Sequence, residues 1–170
     1  MFDRVRDALG GLPFIAEDLG LITPDVAALR TGLGLPGMRV LQFAFDGSPT
    51  NPFLPHNYDR NTVVYTGTHD NDTTVGWYRS LSAKEKRVVR RYLPGVDRDV
   101  AGELIRFAWS SIANLAVAPV QDVLRLGTRA RMNLPGKAIG NWGWRLRAAD
   151  LKRPEFAELG ELTRRYARGG

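Results

Sequence analysis

The sequence predicts an α/β fold built on a parallel sheet, because short apolar runs typical of strands alternate with segments of helical pattern. Two of these runs end abruptly in acidic residues. Residues 13–17 lead into Glu17 and Asp18, and residues 62–67 lead into His69 and Asp70. An apolar strand that ends in carboxylates places them at the end of the sheet where the catalytic groups of parallel α/β barrels lie.

Four segments have the apolar character of strands buried in a parallel sheet, and they are residues 13–17, 38–45, 62–67 and 115–119. A complete (βα)8 TIM barrel typically needs about 250 residues. Four strands in 170 residues therefore predict one partial domain, residues 1–170, that forms half of such a barrel with extra helices.

Local signals place the helices between these strands. Gly10-Gly11 should end a first helix over residues 2–9, and Thr23-Pro24 should open a second. Ser82 and Glu85 have the spacing of a capping box before a basic helix at residues 83–93. Further helices are predicted in four places: residues 72–79, residues 100–112, a short one ending at Gly127, and a last one near the carboxyl terminus.

Composition narrows the class of protein. With 44% hydrophobic and 25% charged residues the chain has the composition of a globular domain. Cys is absent, which excludes disulfides and thiolate metal sites and fits a cytoplasmic enzyme. There is no apolar run of about 18 residues, so we expect no membrane partner. We also expect no metal and no cofactor.

The net charge of +6 raises nucleic acid as a partner. However, the densest basic cluster, residues 84–91, overlaps an apolar stripe that includes Val88, Val89 and Tyr92 at helical spacing. This pattern favours the solvated face of a packed helix, and we expect no nucleic-acid partner. A phosphate-binding face is the alternative reading of the same cluster.

Two short motifs resemble binding sites but have the wrong context. Residues 32–37 match the G-x-G-x-x-G dinucleotide fingerprint, yet a helix precedes them and a strand follows, the reverse of what the fingerprint requires. Residues 70–72 resemble the start of a calcium loop, but Val75 and Leu81 occupy the places of its required Gly and Glu.

The carboxylates are the better signal. Cleavage of a glycosidic bond with retention needs a proton donor and a carboxylate nucleophile about 5–5.5 Å apart. Glu17 follows an apolar run and is a suitable proton donor. Asp70 and His69 are suited to hydrogen-bond sugar hydroxyls, since a carboxylate accepts and an imidazole can donate. The alternative is that Glu17 and Asp70 cap helices or bind backbone amides at strand ends.

Five ordered segments of the chain are distinctive when taken together, and they are residues 14–24 (FIAEDLGLITP), 36–45 (PGMRVLQFAF), 63–74 (VVYTGTHDNDTT), 118–127 (APVQDVLRLG) and 131–145 (RMNLPGKAIGNWGWR). These segments closely resemble the 4-α-glucanotransferases, the amylomaltase or disproportionating-enzyme family related to the α-amylases. The resemblance implies a (βα)8 barrel that cleaves α-1,4-glucans and maltooligosaccharides and transfers the glycosyl unit to glucose or another glucan.

The resemblance also implies roles for individual residues. Glu17 corresponds to the general acid/base, Asp70 to the residue that stabilises the transition state, and His69 to a residue that binds the sugar beside the cleaved bond. Four further residues are expected to line the substrate cleft, and they are Phe43, Asn133, Pro135 and Trp142. Trp142 suits a sugar-stacking platform, with packing in the core or an interface as the alternative.

One departure from the family pattern is important. The family nucleophile is an Asp in a motif of the Arg-Ile-Asp-His kind, on the strand before the Glu17 segment. Residues 1–16 offer Asp3 and Asp7, both on an apparent helix. We therefore expect the chain to correspond to the last four barrel strands and to lack the nucleophile.

This expectation defines the partners. The isolated chain should be inactive, and its partner should be the missing amino-terminal half-barrel. The alternative is a non-catalytic glucan-binding half-barrel that functions only with that half. Unpaired strand edges and exposed barrel-centre residues should also favour self-association, and we expect those residues to be Val40, Phe43, Val64 and Ala116.

Overall fold

The structure, a computed structural model, describes residues 1–169. It has a parallel sheet in the order β1-β2-β3, with β1 at Gly37–Val40, β2 at Thr62–Tyr65 and β3 at Leu115–Val117. The α-helices are α1 (Phe2–Leu9), α2 (Pro24–Gly32), α3 (Thr74–Ser80), α4 (Ala83–Tyr92), α5 (Val100–Trp109), α6 (Val120–Val123) and α7 (Pro154–Arg165). Short 3-10 helices occupy Leu41–Phe43, Pro55–Asn57, Thr128–Ala130 and Ala148–Lys152.

The boundaries of α1, α2 and α4 follow their local signals, whereas α5 ends at Trp109 rather than at residue 112 and α6 ends at Val123 rather than near Gly127. Helix α1 ends at Gly10, whose φ of 70° lies in the left-handed region that glycine adopts without strain. Helix α2 has Pro24 at its start. Helix α4 has the predicted capping box, in which Ser82 Oγ accepts from Glu85 N–H and Glu85 Oε2 accepts from Ser82 N–H.

The predicted strand at residues 13–17 is wrong, and the sheet described in residues 1–169 has three strands rather than four. This segment lies beside β1, where Ala16 N–H donates to Pro36 O at 2.9 Å. It forms no ladder, because the next donor of β1, Met38 N–H, is taken by the Asp18 side chain at 2.6 Å. The segment is also exposed, with Phe14 at 42% and Ile15 at 46%.

The predicted strand at residues 38–45 is too long. The chain leaves the sheet after Val40 and turns through a 3-10 helix at Leu41–Phe43. Leu41 and Ala44 are buried by this turn against the helices. A continuous apolar run does not distinguish a strand from a buried turn, which explains the error.

The main hydrophobic core lies between one face of the sheet and the helices. Val64 belongs to this core and Ala116 packs against it. The prediction that Val64 and Ala116 are exposed at a barrel centre is therefore wrong, because alternation turns both toward the helices. Val40 is fully buried as well, whereas Phe43 is 47% exposed, as predicted.

The opposite face of the sheet is more open at β3. Its side chains Leu115 and Val117 are 51% and 40% exposed.

No helix within residues 1–169 combines the length and apolar character that a membrane span needs.

A polar cluster ties helices α3 and α4 to the turn that follows α4. Asp97 accepts hydrogen bonds from Tyr78 Oη at 2.8 Å and from Arg90 Nε at 2.7 Å and Nη2 at 2.9 Å. The hydrogen bonds from Arg90, and then that from Tyr78, lower the pKa of Asp97 to about 2.

This lowered pKa predicts an acid-dependent contribution to stability. Because the folded pKa lies below the ordinary value of about 3.9, the stabilisation is present above that value and is lost as pH falls toward 2. Asp97→Asn should lower the free energy of unfolding near neutral pH, and its difference from wild type should shrink between about pH 4 and about pH 2. Urea denaturation across this range measures it, and a difference independent of pH would contradict the assignment.

Candidate active site

A cleft of about 1090 Å³ opens where the strands end. Tyr65 and Val117, the last residues of β2 and β3, line it together with the loops that follow these strands. The carboxyl ends of parallel strands are where α/β folds of this type hold their reactive groups.

The structure brings the sequence-predicted site residues together in this region. Six of them line the cleft, and they are Glu17, Phe43, His69, Asp70, Pro135 and Trp142. The seventh, Asn133, contacts the Asp70 side chain, since its Nδ2 donates to Asp70 Oδ1 at 2.5 Å.

Asp70 lies in the loop between β2 and α3, which we call the 66–73 loop. Its Oδ1 is 3.3 Å from His69 Nε2, and both side chains are about half exposed toward the cleft. Arg131 Nη2 donates to the Asp70 carbonyl at 2.6 Å, and Asn133 N–H donates to the His69 carbonyl at 3.1 Å. Sequence reasoning missed Arg131, although it begins one of the segments that carry the family resemblance.

The alternative role of helix capping is wrong for both carboxylates. Helix α3 is capped by Thr73, whose Oγ1 accepts from Gly76 N–H at 3.1 Å, and α2 begins after Thr23. Asp70 and Glu17 stand before these caps and face the cleft.

A buried side chain, that of Gln42, also holds the 66–73 loop. Gln42 Nε2 donates to the Asp72 carbonyl at 2.9 Å. Gly67 makes room for this contact, because a Cβ at that position would lie 2.7 Å from Gln42 Nε2. A larger residue at position 67 would therefore displace the glutamine.

Trp142 lies against His69, with ring centroids 5.2 Å apart. It is 52% exposed, so the alternative that it packs in the core of the described chain is wrong. Its φ of 60° is uncommon for a bulky residue and costs on the order of 1–3 kcal/mol. Hydrogen bonds from Trp142 N–H to Met132 O and from Arg145 Nη1 to Trp142 O hold this conformation.

A second aromatic wall comes from Phe43 and Phe53. Their rings meet edge to face, with centroids 5.5 Å apart and planes at 84°. Both residues line the cleft. Phe53 packs against the core and supports Phe43, which is 47% exposed and so presents an aromatic face that can stack on the apolar face of a sugar ring.

Glu17 is exposed in the cleft near Tyr65. Burial, and secondarily the negative charge of Glu17, raise the pKa of Tyr65, so the phenol keeps its proton and can donate a hydrogen bond. Sequence reasoning missed Tyr65, because the predicted strand ran to residue 67 and only the structure shows that β2 ends at Tyr65 beside the cleft.

The segment that bears Glu17 is anchored by the next residue, Asp18. This carboxylate is 8% exposed and accepts from Met38 N–H at 2.6 Å. It lies 3.4 Å from Arg30 Nε and 3.3 Å from Arg39 Nη1, which balance its charge. Gly37 permits this approach, since a Cβ there would be 2.5 Å from Asp18 Oδ2.

Within residues 1–169 no group of three or more His, Asp or Glu side chains has the arrangement of a metal site. The functional groups that line the cleft include carboxylates, an imidazole, a phenol, a guanidinium and aromatic rings.

Comparison with known proteins identifies the family. The family model described as 4-alpha-glucanotransferase matches residues 1–151. The chain belongs to this family. The family resemblance inferred from the five sequence segments is thereby confirmed.

Individual relatives agree with this assignment. The 4-alpha-glucanotransferase of Thermus thermophilus is 52% identical over 167 residues, covering 94% of this chain and 33% of the relative. That of Synechocystis sp. is 52% identical over 170 residues, covering 98% of this chain and 34% of the relative. A chloroplastic/amyloplastic relative from Arabidopsis thaliana is 47% identical and covers 99% of this chain. The chain spans about a third of the length of these relatives.

Solved structures agree as well. The amylomaltase from Streptococcus agalactiae in complex with acarbose superposes with a TM-score of 0.93 at 35% identity, covering 99% of this chain and 34% of that one. The amylomaltase from Corynebacterium glutamicum has a TM-score of 0.56 at 19% identity and supports the fold alone.

The close contact between Asp18 and Gly37 predicts a large effect of a small substitution. Gly37→Ala should lower the free energy of unfolding by about 1–3 kcal/mol, because the added methyl collides with the Asp18 carboxylate. Hydrogen exchange at the Met38 amide should quicken at the same time. Gly32→Ala, in α2 with open space around its Cβ position, is the control and should not destabilise the protein. Equal effects of the two substitutions in urea denaturation would contradict this account.

Proposed function

We propose that this chain forms part of the active site of a retaining 4-alpha-glucanotransferase, which transfers α-1,4-glucan segments to glucose or another glucan. The observation that carries the proposal is that Glu17, His69 and Asp70 line one cleft at the carboxyl ends of the parallel strands. Membership of the 4-alpha-glucanotransferase family supports the reaction type.

In this proposal Glu17 is the general acid/base. It protonates the glycosidic oxygen during cleavage and then removes a proton from the acceptor hydroxyl. Its exposure in the cleft gives a sugar access to the carboxyl group. The protonated Tyr65 nearby is a hydrogen-bond donor for Glu17 or for the sugar.

Asp70 and His69 hold the reacting sugar. The Asp70 carboxylate accepts hydrogen bonds from sugar hydroxyls, and such bonds strengthen as the ring distorts toward the oxocarbenium-like transition state. The Asn133 amide beside Asp70 Oδ1 fixes the orientation of the carboxylate. Trp142, Phe43 and Pro135 form cleft walls on which neighbouring glucose units stack.

Retention requires a second carboxylate about 5–5.5 Å from the acid/base. We propose that the remaining strands of a closed (βα)8 barrel supply this nucleophile, in keeping with the length of the relatives. Apolar side chains are exposed at both edges of the sheet, which supports the proposal that further strands cover them. They are Phe14 and Ile15 beside β1 and Leu115 and Val117 on β3. A non-catalytic glucan-binding role is not favoured, because the matched relatives are named as transferases.

The acid/base assignment is tested by Glu17→Gln in a complete barrel that carries this chain. The variant should lower kcat for maltotriose disproportionation by about 10²–10⁴-fold, because glutamine cannot donate the proton. Glu161→Gln, an exposed position on α7, is the matched control and should leave kcat unchanged. Normal turnover of the Glu17 variant would refute the assignment.

The need for a complementary half is tested on residues 1–170 alone. This chain should release no glucose from maltotriose and should associate in light scattering, because its sheet has open edges and exposed apolar residues. Adding the separately expressed remainder of the barrel should restore transfer. A monomer that disproportionates maltotriose unaided would be incompatible with this proposal.

A further inference from the structure

Asp122, on helix α6, is a buried carboxylate that the proposed mechanism does not use. It is 1% exposed and accepts three hydrogen bonds. Its Oδ2 accepts from Thr66 Oγ1 at 2.6 Å and from Thr74 Oγ1 at 2.7 Å, and its Oδ1 accepts from Thr74 N–H at 2.7 Å.

The two threonines mark the ends of the 66–73 loop. Thr66 is the first residue after β2, and Thr74 is the first residue of α3. Both are fully buried. One carboxylate therefore fastens the loop that bears His69 and Asp70 at its entry and at its exit.

The energetics of Asp122 point to a specific role. Burial raises its pKa, while the hydrogen bonds from Thr66 and Thr74 oppose this shift. Removing a carboxylate from water costs several kcal/mol, and an apolar residue would fill the same space without that cost. What an apolar residue cannot do is fix the separation of Thr66 and Thr74.

We propose that Asp122 is a positioning residue for Asp70. It holds the 66–73 loop in the position that allows the Asp70 carboxylate to contact the reacting sugar. It acts through the loop and does not touch the substrate: its neighbour Gln121 lines the cleft, while Asp122 is buried between the two threonines. This inference rests on the proposed function of Asp70.

The first test is a pair of substitutions in a complete barrel that carries this chain. Asp122→Ala should lower kcat for maltotriose by at least about tenfold with a smaller change in KM, since a misplacement of about 1 Å can cost 10²-fold in rate. Asp122→Asn should recover most of kcat. Its carbonyl still accepts from Thr74 N–H, and its amide can donate to both hydroxyls once these rotate.

A double-mutant cycle separates positioning from general stability. In an Asp70→Asn background, Asp122→Ala should lower kcat by less than about twofold more, because the group it positions is already lost. Losses that multiply would overturn the inference, as would an unchanged kcat in Asp122→Ala.

Two further variants keep the test decisive. If Asp122→Ala does not fold, Thr66→Val removes one hydroxyl bonded to Asp122 with little change of shape, and the same cycle with Asp70→Asn applies. Asp97→Asn is the matched control, since Asp97 also accepts three hydrogen bonds but receives them from Tyr78 and Arg90 instead of the two threonines that flank the loop. It should lower stability and leave kcat unchanged.

The outcomes distinguish this inference from the proposed function. An Asp70→Asn variant with normal kcat would overturn both. A strongly impaired Asp70→Asn variant whose loss multiplies with that of Asp122→Ala would leave the proposed function intact and overturn the positioning role of Asp122.

Discussion

Backbone groups on the outer side of an edge strand, and those beyond the ends of the strands, have no ladder partner, and in this protein side chains bond to them instead. Asp18 accepts from Met38 N–H, Gln42 donates to Asp72 O, and Arg131 donates to Asp70 O. Each of these bonds satisfies a backbone group that would be costly to leave unpaired. Each also fixes a segment that lines the cleft, so the same interactions stabilise the fold and shape the site.

The two faces of the sheet are stabilised in different ways. On the helix side, Val64 packs in a continuous core with the fully buried Leu41 and Leu104, and this face carries most of the apolar burial. On the cleft side, Leu115 and Val117 remain half exposed, and side-chain hydrogen bonds to the backbone hold the segments that line the cleft. A rigid core beneath loops held by specific hydrogen bonds suits a site that must keep its geometry while it is open to substrate.

The sequence predicted what depends on local chemistry. The Ser82–Glu85 capping box and the glycine stop at Gly10 formed as expected, since caps are set by neighbouring residues. Residues 13–17 failed as a strand because pairing depends on a distant partner, and here Asp18 took the donor that a ladder would have used. The candidate site residues were inferred from their positions at the ends of apolar runs and from the family motifs. Tyr65 was not, because its role depends on a neighbour 48 positions away, Glu17.

The loop that bears Trp142 and the 66–73 loop behave as one unit, and this limits how the site can change. Asn133 donates both to the His69 carbonyl and to the Asp70 carboxylate, and the Trp142 ring lies 5.2 Å from that of His69. The left-handed conformation at Trp142 persists only while these contacts and the bond to Met132 outweigh its cost. A substitution that releases Asn133 would therefore move the proposed sugar platform and the proposed transition-state stabiliser together, so stacking and catalysis cannot be adjusted independently through this loop.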